Sequence, residues 1–437
     1  MNDPAVDVIE VLLTARLYER DTDLDADDLP PNVRAALWDD TSGLERPLPV
    51  SADAASEATG VEDPWDAISS LMFTDRDTFS DELKLVDDDM ASDWYLDRVD
   101  DDRIQQNPTL AAAFQDRDEV AVDYEQARAD NRPARADRAW IDNLLAEYFD
   151  AEDDEDQEML DLVEVRAPEG VELTLDDLVL TTEQEAEVRK VMKAIEHREY
   201  LADVGLREIG KLLFVGPPGT GKTSTARALA HELDLPFVEV KLSMVTSQYL
   251  GETAKNVDKV FEVAKRLSPC IFFIDEFDFV AKTRRSDEHA AIKRAVNTLL
   301  KSIDEISLIR DDVLLIGATN HPDQLDSAAW RRFDEILEFP KPDESMRADI
   351  LRVVTRPMAI ENFDPEELAA ETEGLTGSDL RLVLREAVLE ALLEDRTTLT
   401  QADLLAAVEE FEERDNLKRM DAVEEQLVTD GDHDHAH

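Results

Sequence analysis

Gly216-Pro217-Pro218-Gly219-Thr220-Gly221-Lys222-Thr223 is the stretch of this chain best equipped for chemistry. It matches the phosphate-loop pattern G-x-x-x-x-G-K-[ST] at every fixed position. The glycines let the backbone fold closely around a polyphosphate, so that successive N–H groups point inward. Lys222 can then reach the outer phosphates, and the Thr223 hydroxyl can hold Mg²⁺. Residues 216–223 together with Ser224 form the expected nucleotide-binding set. A second element, Ile271-Phe-Phe-Ile-Asp275-Glu276, is an apolar run ending in two acids. Asp275 is suited to holding Mg²⁺, in part through water, and Glu276 to orienting and polarising an attacking water. The ligand these residues imply is a nucleoside triphosphate with Mg²⁺.

Such groups work only if regular elements deliver them. Lys211–Val215 reads as a short buried strand feeding the loop, and residues 224–233 as the helix that follows. Further strand-like runs at 236–240, 271–275 and 313–317 alternate with helical segments from about 170 to 340. That alternation predicts a parallel sheet flanked by helices, with the loop at the end of one strand. Beyond Pro340-Lys-Pro342 the pattern turns purely helical, with helices expected over 344–354, 365–372, 378–394 and 400–412. Ser378 and Thr400 read as N-caps, the latter with Asp403 three residues on.

Residues 1–165 differ in composition, with two glycines (Gly43, Gly60), one lysine (Lys84) and Trp38, Trp65, Trp94 and Trp140. Helical spacing at 6–17 and 138–149 predicts a mostly α domain, with the tryptophans as core anchors. The acidic run 151–158 reads as a solvated linker. The predicted organisation is an N-terminal domain and linker over 1–165, an α/β domain over 166–340, a helical domain over 341–412 and an acidic tail over 413–437. The tail's closely spaced histidines read as a frayed end and not as a metal site.

The 437 residues carry 104 acidic against 46 basic side chains, a net charge of -58. Salt near molar strength shortens the resulting repulsion to about 3 Å. Acid spread along the whole chain, with only 14 lysines, reads as adaptation to a salt-rich cytoplasm such as a halophilic archaeon's. It disfavours a broad nucleic-acid-binding face. The lone Cys270 lies in an apolar strand run and reads as inert core. The N-terminus is acidic and shows no secretory h-region, and no apolar run is long enough to span a bilayer, so a cytoplasmic protein without membrane contact is expected.

From about 175 to 412 the chain resembles AAA family ATPases with a single AAA module. Ile316-Gly-Ala-Thr-Asn320 resembles the sensor-1 strand, which implies that Asn320 feels the terminal phosphate. Residues 325–334 resemble the arginine-finger segment, which implies that Arg331 and Arg332 reach a neighbouring subunit's nucleotide. Gly374-Leu-Thr-Gly377-Ser378 resembles the sensor-2 region, with Gly377 and Ser378 near the nucleotide and Arg381 a turn further on. Ser247-Gln-Tyr249-Leu250-Gly251-Glu252 resembles pore loop 1, in which Tyr249, Leu250 and Gly251 grip an extended polypeptide. Residues 283–289 occupy the place of a second pore loop. One departure is Leu175-Asp-Asp-Leu-Val-Leu180, where the family commonly has Ile-Gly-Gly beside the adenine.

The resemblance implies a phosphate-loop NTPase core with a C-terminal helical lid, ATP and Mg²⁺ as ligands, and a homo-oligomeric ring, a hexamer. It implies an ATP hydrolase that unfolds, threads or remodels proteins, with the N-terminal domain selecting substrates or adaptors. Two other readings stay open: a nucleic-acid-linked motor, and an ATP-dependent assembly switch without threading. His231-Glu-Leu-Asp-Leu235 lacks the second histidine of a zinc-protease motif. The chain also lacks a second phosphate loop and the hydrophobic–Tyr–any ending by which such ATPases dock on proteasomes.

Overall fold

Strands that carry only buried side chains organise the half that holds the phosphate-loop pattern. In the computed structural model, which describes residues 3–38, 43–117, 119–150, 153–171, 173–206, 209–242, 253–278, 290–325 and 327–414, every residue of Lys211–Val215 (β4), Cys270–Ile274 (β6) and Val313–Thr319 (β7) is buried. Continuous apolar runs of this kind need cover on both faces, which is the situation of a parallel sheet between helices. The sheet has six strands in the order β3–β5–β6–β7–β4–β8, with Val163–Arg166 as β3, Phe237–Val240 as β5 and Glu335–Glu338 as β8. The pairs β5/β6, β6/β7, β7/β4 and β4/β8 are all parallel.

Register decides what meets at the C-terminal edge. Val215 lies opposite Thr319, and Ile274 opposite Gly317. The segments leaving β4, β6 and β7 therefore emerge side by side, where ligands bind in open α/β sheets. Phe214, Phe237, Phe272 and Phe273 have no exposure. Burial of each is worth about 1.5–3 kcal/mol, so the platform beneath that edge is stiff.

The described residues form two units, one within 3–158, 165–170 and 234–236, and one within 159–164, 171–233 and 237–414. In the first unit, the Pro4–Arg20 helix buries Val8, Ile9, Leu12 and Leu13, and a hairpin of Thr74–Asp77 (β1) and Glu82–Leu85 (β2) interrupts the helices. In the second unit, the lid helices Glu344–Val354, Pro365–Ala370 and Gly377–Leu393, with a helix over 401–414, enclose a core of their own. Ile360–Glu361 and Leu399–Thr400 pair in parallel as β9 and β10.

Several expectations need correction. None of the four tryptophans is a fully buried anchor: Trp65 and Trp94 only pack against the core, Trp38 is half-buried and Trp140 is 36% exposed. Aliphatic side chains, with Tyr18, Phe73, Tyr95 and Phe114, fill that core instead. The acidic run at 151–158 gives way to a helix over Asp154–Asp161, which buries Met159. Strands β3 and β8 and the β1–β2 hairpin carry little apolar signal and were not foreseen. Ser378 lies inside its helix, and Thr376 is the N-cap, in a reciprocal capping box with Asp379. Thr400 caps as expected, its hydroxyl accepting from Asp403 N–H at 3.3 Å. Cys270 is fully buried, and burial pushes its thiol pKa up, which fits inert core.

Candidate functional site

The loop after β4 is packed so tightly at two positions, Gly216 and Gly219, that a side chain is excluded from each. A Cβ on Gly216, at φ +155°, would lie 2.1 Å from the Phe339 carbonyl oxygen. One on Gly219, at φ +76°, would lie 2.5 Å from the Thr376 hydroxyl of the lid. Glycine at 219 thus permits the left-handed turn and lets the lid approach, where Ser378 N–H donates to Gly219 O at 3.2 Å. The loop runs into the Lys222–Glu232 helix, whose N-cap Gly221 offers no side-chain acceptor. The first N–H groups of that helix are left for an anion.

Lys222 is only 6% exposed. Its ammonium donates to the carbonyls of Gly216 and Pro217, each at 2.7 Å. Burial pulls its pKa down, and the nearby Asp275 carboxylate partly opposes that. Thr223 Oγ1 donates to Asp275 Oδ2 at 3.1 Å, and Glu276 N–H to Asp275 Oδ1 at 2.7 Å. A hydroxyl and a carboxylate held together make a hard-oxygen pair of the type Mg²⁺ prefers, so Thr223 and Asp275 fit the ion. Glu276 is exposed and takes φ +48°, a turn that directs the chain away from the strand axis immediately after Asp275.

These groups border one cavity of about 360 Å³. It is lined by Pro218, Gly219, Thr220, Gly221, Lys222, Thr223, Ser224, Asp275, Asn320, Gly377 and Ser378. Gly216 and Pro217 stand behind the wall as carbonyl partners of Lys222, and Glu276 adjoins it through Asp275. The same cavity is also lined by apolar residues of two segments, Leu178, Val179 and Leu180 and, from the lid, Met346, Ile350, Val353 and Val354, which together form its apolar slot. Motif reading noted residues 175–180 only as a departure from pattern and missed the lid side of the slot. The helical spacing of 346, 350, 353 and 354 was the signal available. Arg381, assigned no role from the sequence, also lines the cavity.

The arginine pair lies outside the lining. Arg332 is held within its own chain: it donates to Leu300 O at 2.9 Å and to Ala328 O, and meets Asp304 at 2.9 Å. Arg331 is exposed. Tyr249, Leu250 and Gly251, residues 283–289 and the tail histidines lie outside the described residues.

Comparison with known proteins agrees with this geometry. Residues 212–341 match the ATPase family associated with various cellular activities (AAA), and residues 362–406 match the AAA+ lid domain. An AAA family ATPase of Sinorhizobium fredii, itself uncharacterised, is 37% identical over 236 residues, which cover 54% of this chain and 70% of that one. The chain belongs to the AAA family. Proteasome-activating nucleotidases are also similar. That of Pyrococcus abyssi is 40% identical over 243 residues, 54% of this chain and 61% of its own length, and that of Methanocaldococcus jannaschii is 38% identical over 249 residues, 56% and 58%. This AAA chain thus spans about three-fifths of the Pyrococcus relative, and residues 1–211 of this chain lie outside both family regions. Among the described residues no helix is long and apolar enough to cross a membrane.

Proposed function

We infer that this AAA protein hydrolyses ATP with Mg²⁺ and uses the cycle to unfold, thread or remodel protein substrates in a homo-oligomeric ring, a hexamer. The observation that carries the reading is the meeting of Lys222, Thr223, Asp275 and Asn320 on one cavity, with Glu276 at its edge. Lys222 and the loop N–H groups bind the phosphates, and the slot of Val179, Leu180, Ile350 and Val353 takes the base. Bound Mg²⁺, held by Thr223 and Asp275, would neutralise phosphate charge as it develops. Glu276 orients the attacking water and accepts its proton, and Asn320 senses the terminal phosphate. Arg331 is better placed than Arg332 to serve a second copy, because Arg332 is already engaged.

Protein as the handled polymer is supported by the relatives named proteasome-activating nucleotidases. It is also supported by the pore-loop pattern at Tyr249-Leu250-Gly251 and by a net charge of -58, which repels polynucleotide. The N-terminal unit then selects substrates or adaptors, and the acidity fits a salt-rich cytoplasm. The test is unfolding of a tagged fluorescent protein in high salt with ATP, for the wild type and Tyr249→Ala. Loss of unfolding with basal hydrolysis retained is expected. Unfolding that survives the substitution would show that threading by Tyr249 is wrong.

A further inference from the structure

Asp278 is a buried carboxylate for which the reaction above has no use. It is 2% exposed, two residues beyond Glu276, and burying a carboxylate is costly unless it is bonded. Its Oδ1 accepts from Thr319 Oγ1 at 3.2 Å, and Thr319 is fully buried at the end of β7. The same Thr319 hydroxyl accepts from His321 N–H at 3.0 Å. One hydroxyl therefore ties the backbone on both sides of Asn320 to the turn that carries Glu276.

Two further contacts hold that turn. Phe277 N–H donates to Ala318 O at 2.7 Å. The Phe277 ring meets Phe333 edge-on at 5.2 Å, beside Arg332. Glu276 itself, exposed and at φ +48°, adopts a backbone conformation unfavourable for a residue with a Cβ. Left alone, the turn would relax and let the carboxylate wander. Displacement by about 1 Å can cost about a hundredfold in rate.

We propose that the Asp278–Thr319 hydrogen bond is a positioning device that sets Glu276 against Asn320, so that the water-activating carboxylate and the phosphate-sensing amide keep a fixed separation. Asp278 and Thr319 touch neither nucleotide nor water in this account; they act through Glu276. The inference rests on the ATP-hydrolysis reading given above.

The test compares full-length wild type, Thr319→Val, Thr319→Ser and Asp278→Asn. For each, steady-state kcat and KM for ATP are measured, together with affinity for a non-hydrolysable ATP analogue. Thr319→Val keeps shape and deletes the hydroxyl, so kcat should fall at least about tenfold while analogue affinity stays within about twofold. Thr319→Ser restores the hydroxyl and should return kcat to within about threefold of wild type. Asp278→Asn retains an acceptor oxygen and should fall between the two. In a Glu276→Gln background, adding Thr319→Val should change residual turnover by less than about twofold, because residues acting through one group are not additive. An unchanged kcat in Thr319→Val overturns the proposal. So does a parallel loss of kcat and analogue affinity that serine does not rescue, which would indicate a purely structural bond. A wild type that neither binds nor hydrolyses ATP would instead sink the underlying reading.

Discussion

Two buried cations, Arg34 in the N-terminal unit and Lys222 in the phosphate loop, show how this molecule separates scaffold from site. Arg34 has no side-chain exposure. Its guanidinium meets both oxygens of Asp137, at 2.6 and 3.3 Å, and the carbonyls of Ala26, Leu29 and Arg132. It is a closed arrangement, with a carboxylate to match the charge and little left to offer a ligand. Lys222 is nearly as buried but meets only two neutral carbonyls of its own loop. Its charge is uncompensated by direct contact, it faces a cavity, and burial depresses its pKa. A buried charge that is fully paired fixes a fold. A buried charge held only by dipoles beside a cavity is kept for an anion.

The most forceful way to break this comparison is to remove each cation in turn. Lys222→Ala should lower ATP turnover by at least about a hundredfold, as loss of a preorganised donor to developing charge does. It should shift the folding free energy by less than about 1 kcal/mol, since burial already disfavours the ammonium. Arg34→Met should do the reverse. Asp137 would lose its buried partner and keep Arg132 at 3.0 Å, so the cost should be about 3 kcal/mol, the lower end for breaking a buried pair, read by urea unfolding, with nucleotide affinity unchanged. If Arg34→Met weakened nucleotide binding, or Lys222→Ala unfolded the module, scaffold and site would not be separable in this way.

The same distinction can be sharpened within the arginine pair. Arg332 is half-buried and bonded to Leu300 O, Ala328 O and Asp304. Arg332→Ala should therefore destabilise the module by about 1–3 kcal/mol. Exposed Arg331→Ala should stay within about 0.5 kcal/mol of wild type in the same unfolding assay.

A smaller effect belongs to the lid. Arg396 and the Thr400 groups hold the Asp403 carboxyl pKa down to about 2, from an ordinary 3.8. A lowered folded-state value means that the contribution is complete above the ordinary value and disappears as pH falls from there through about 2. Protection from hydrogen exchange at the start of the 401–414 helix, relative to an unstructured chain at the same pH, should fall across that window. Asp403→Asn should flatten the dependence, and the change should be modest because water screens the pair.

Much of the site is legible in the sequence because it is local. Residues 216–224 and 271–276 are contiguous, and each motif carries its own strand. Lys211–Val215 was bounded to the residue, and Asn320 falls on the same cavity wall because β7 lies beside β4. What the sequence hides depends on distant contacts. Val179 and Leu180 line one cavity with Ile350 and Val353 of the lid, residues far from them in the chain. Strand β8, Glu335-Ile-Leu-Glu338, has two acids in four residues and is a strand only because β4 offers it an edge. Residue type alone puts the N-cap of the Gly377–Leu393 helix at Ser378. Thr376 takes that place because Asp379 reciprocates its bond. Asp278 could not be singled out without Thr319, some forty positions away in the chain and within hydrogen-bond reach only in the fold.

The account stands most directly on Glu276. In Glu276→Gln, equilibrium binding of ATP with Mg²⁺ should match the wild type within about threefold, while single-turnover hydrolysis falls by at least about a hundredfold, the lower end for loss of a general base. Retained binding with lost turnover is the result this account predicts. Hydrolysis at the wild-type rate would contradict it and would move the water-activating role away from the turn after β6.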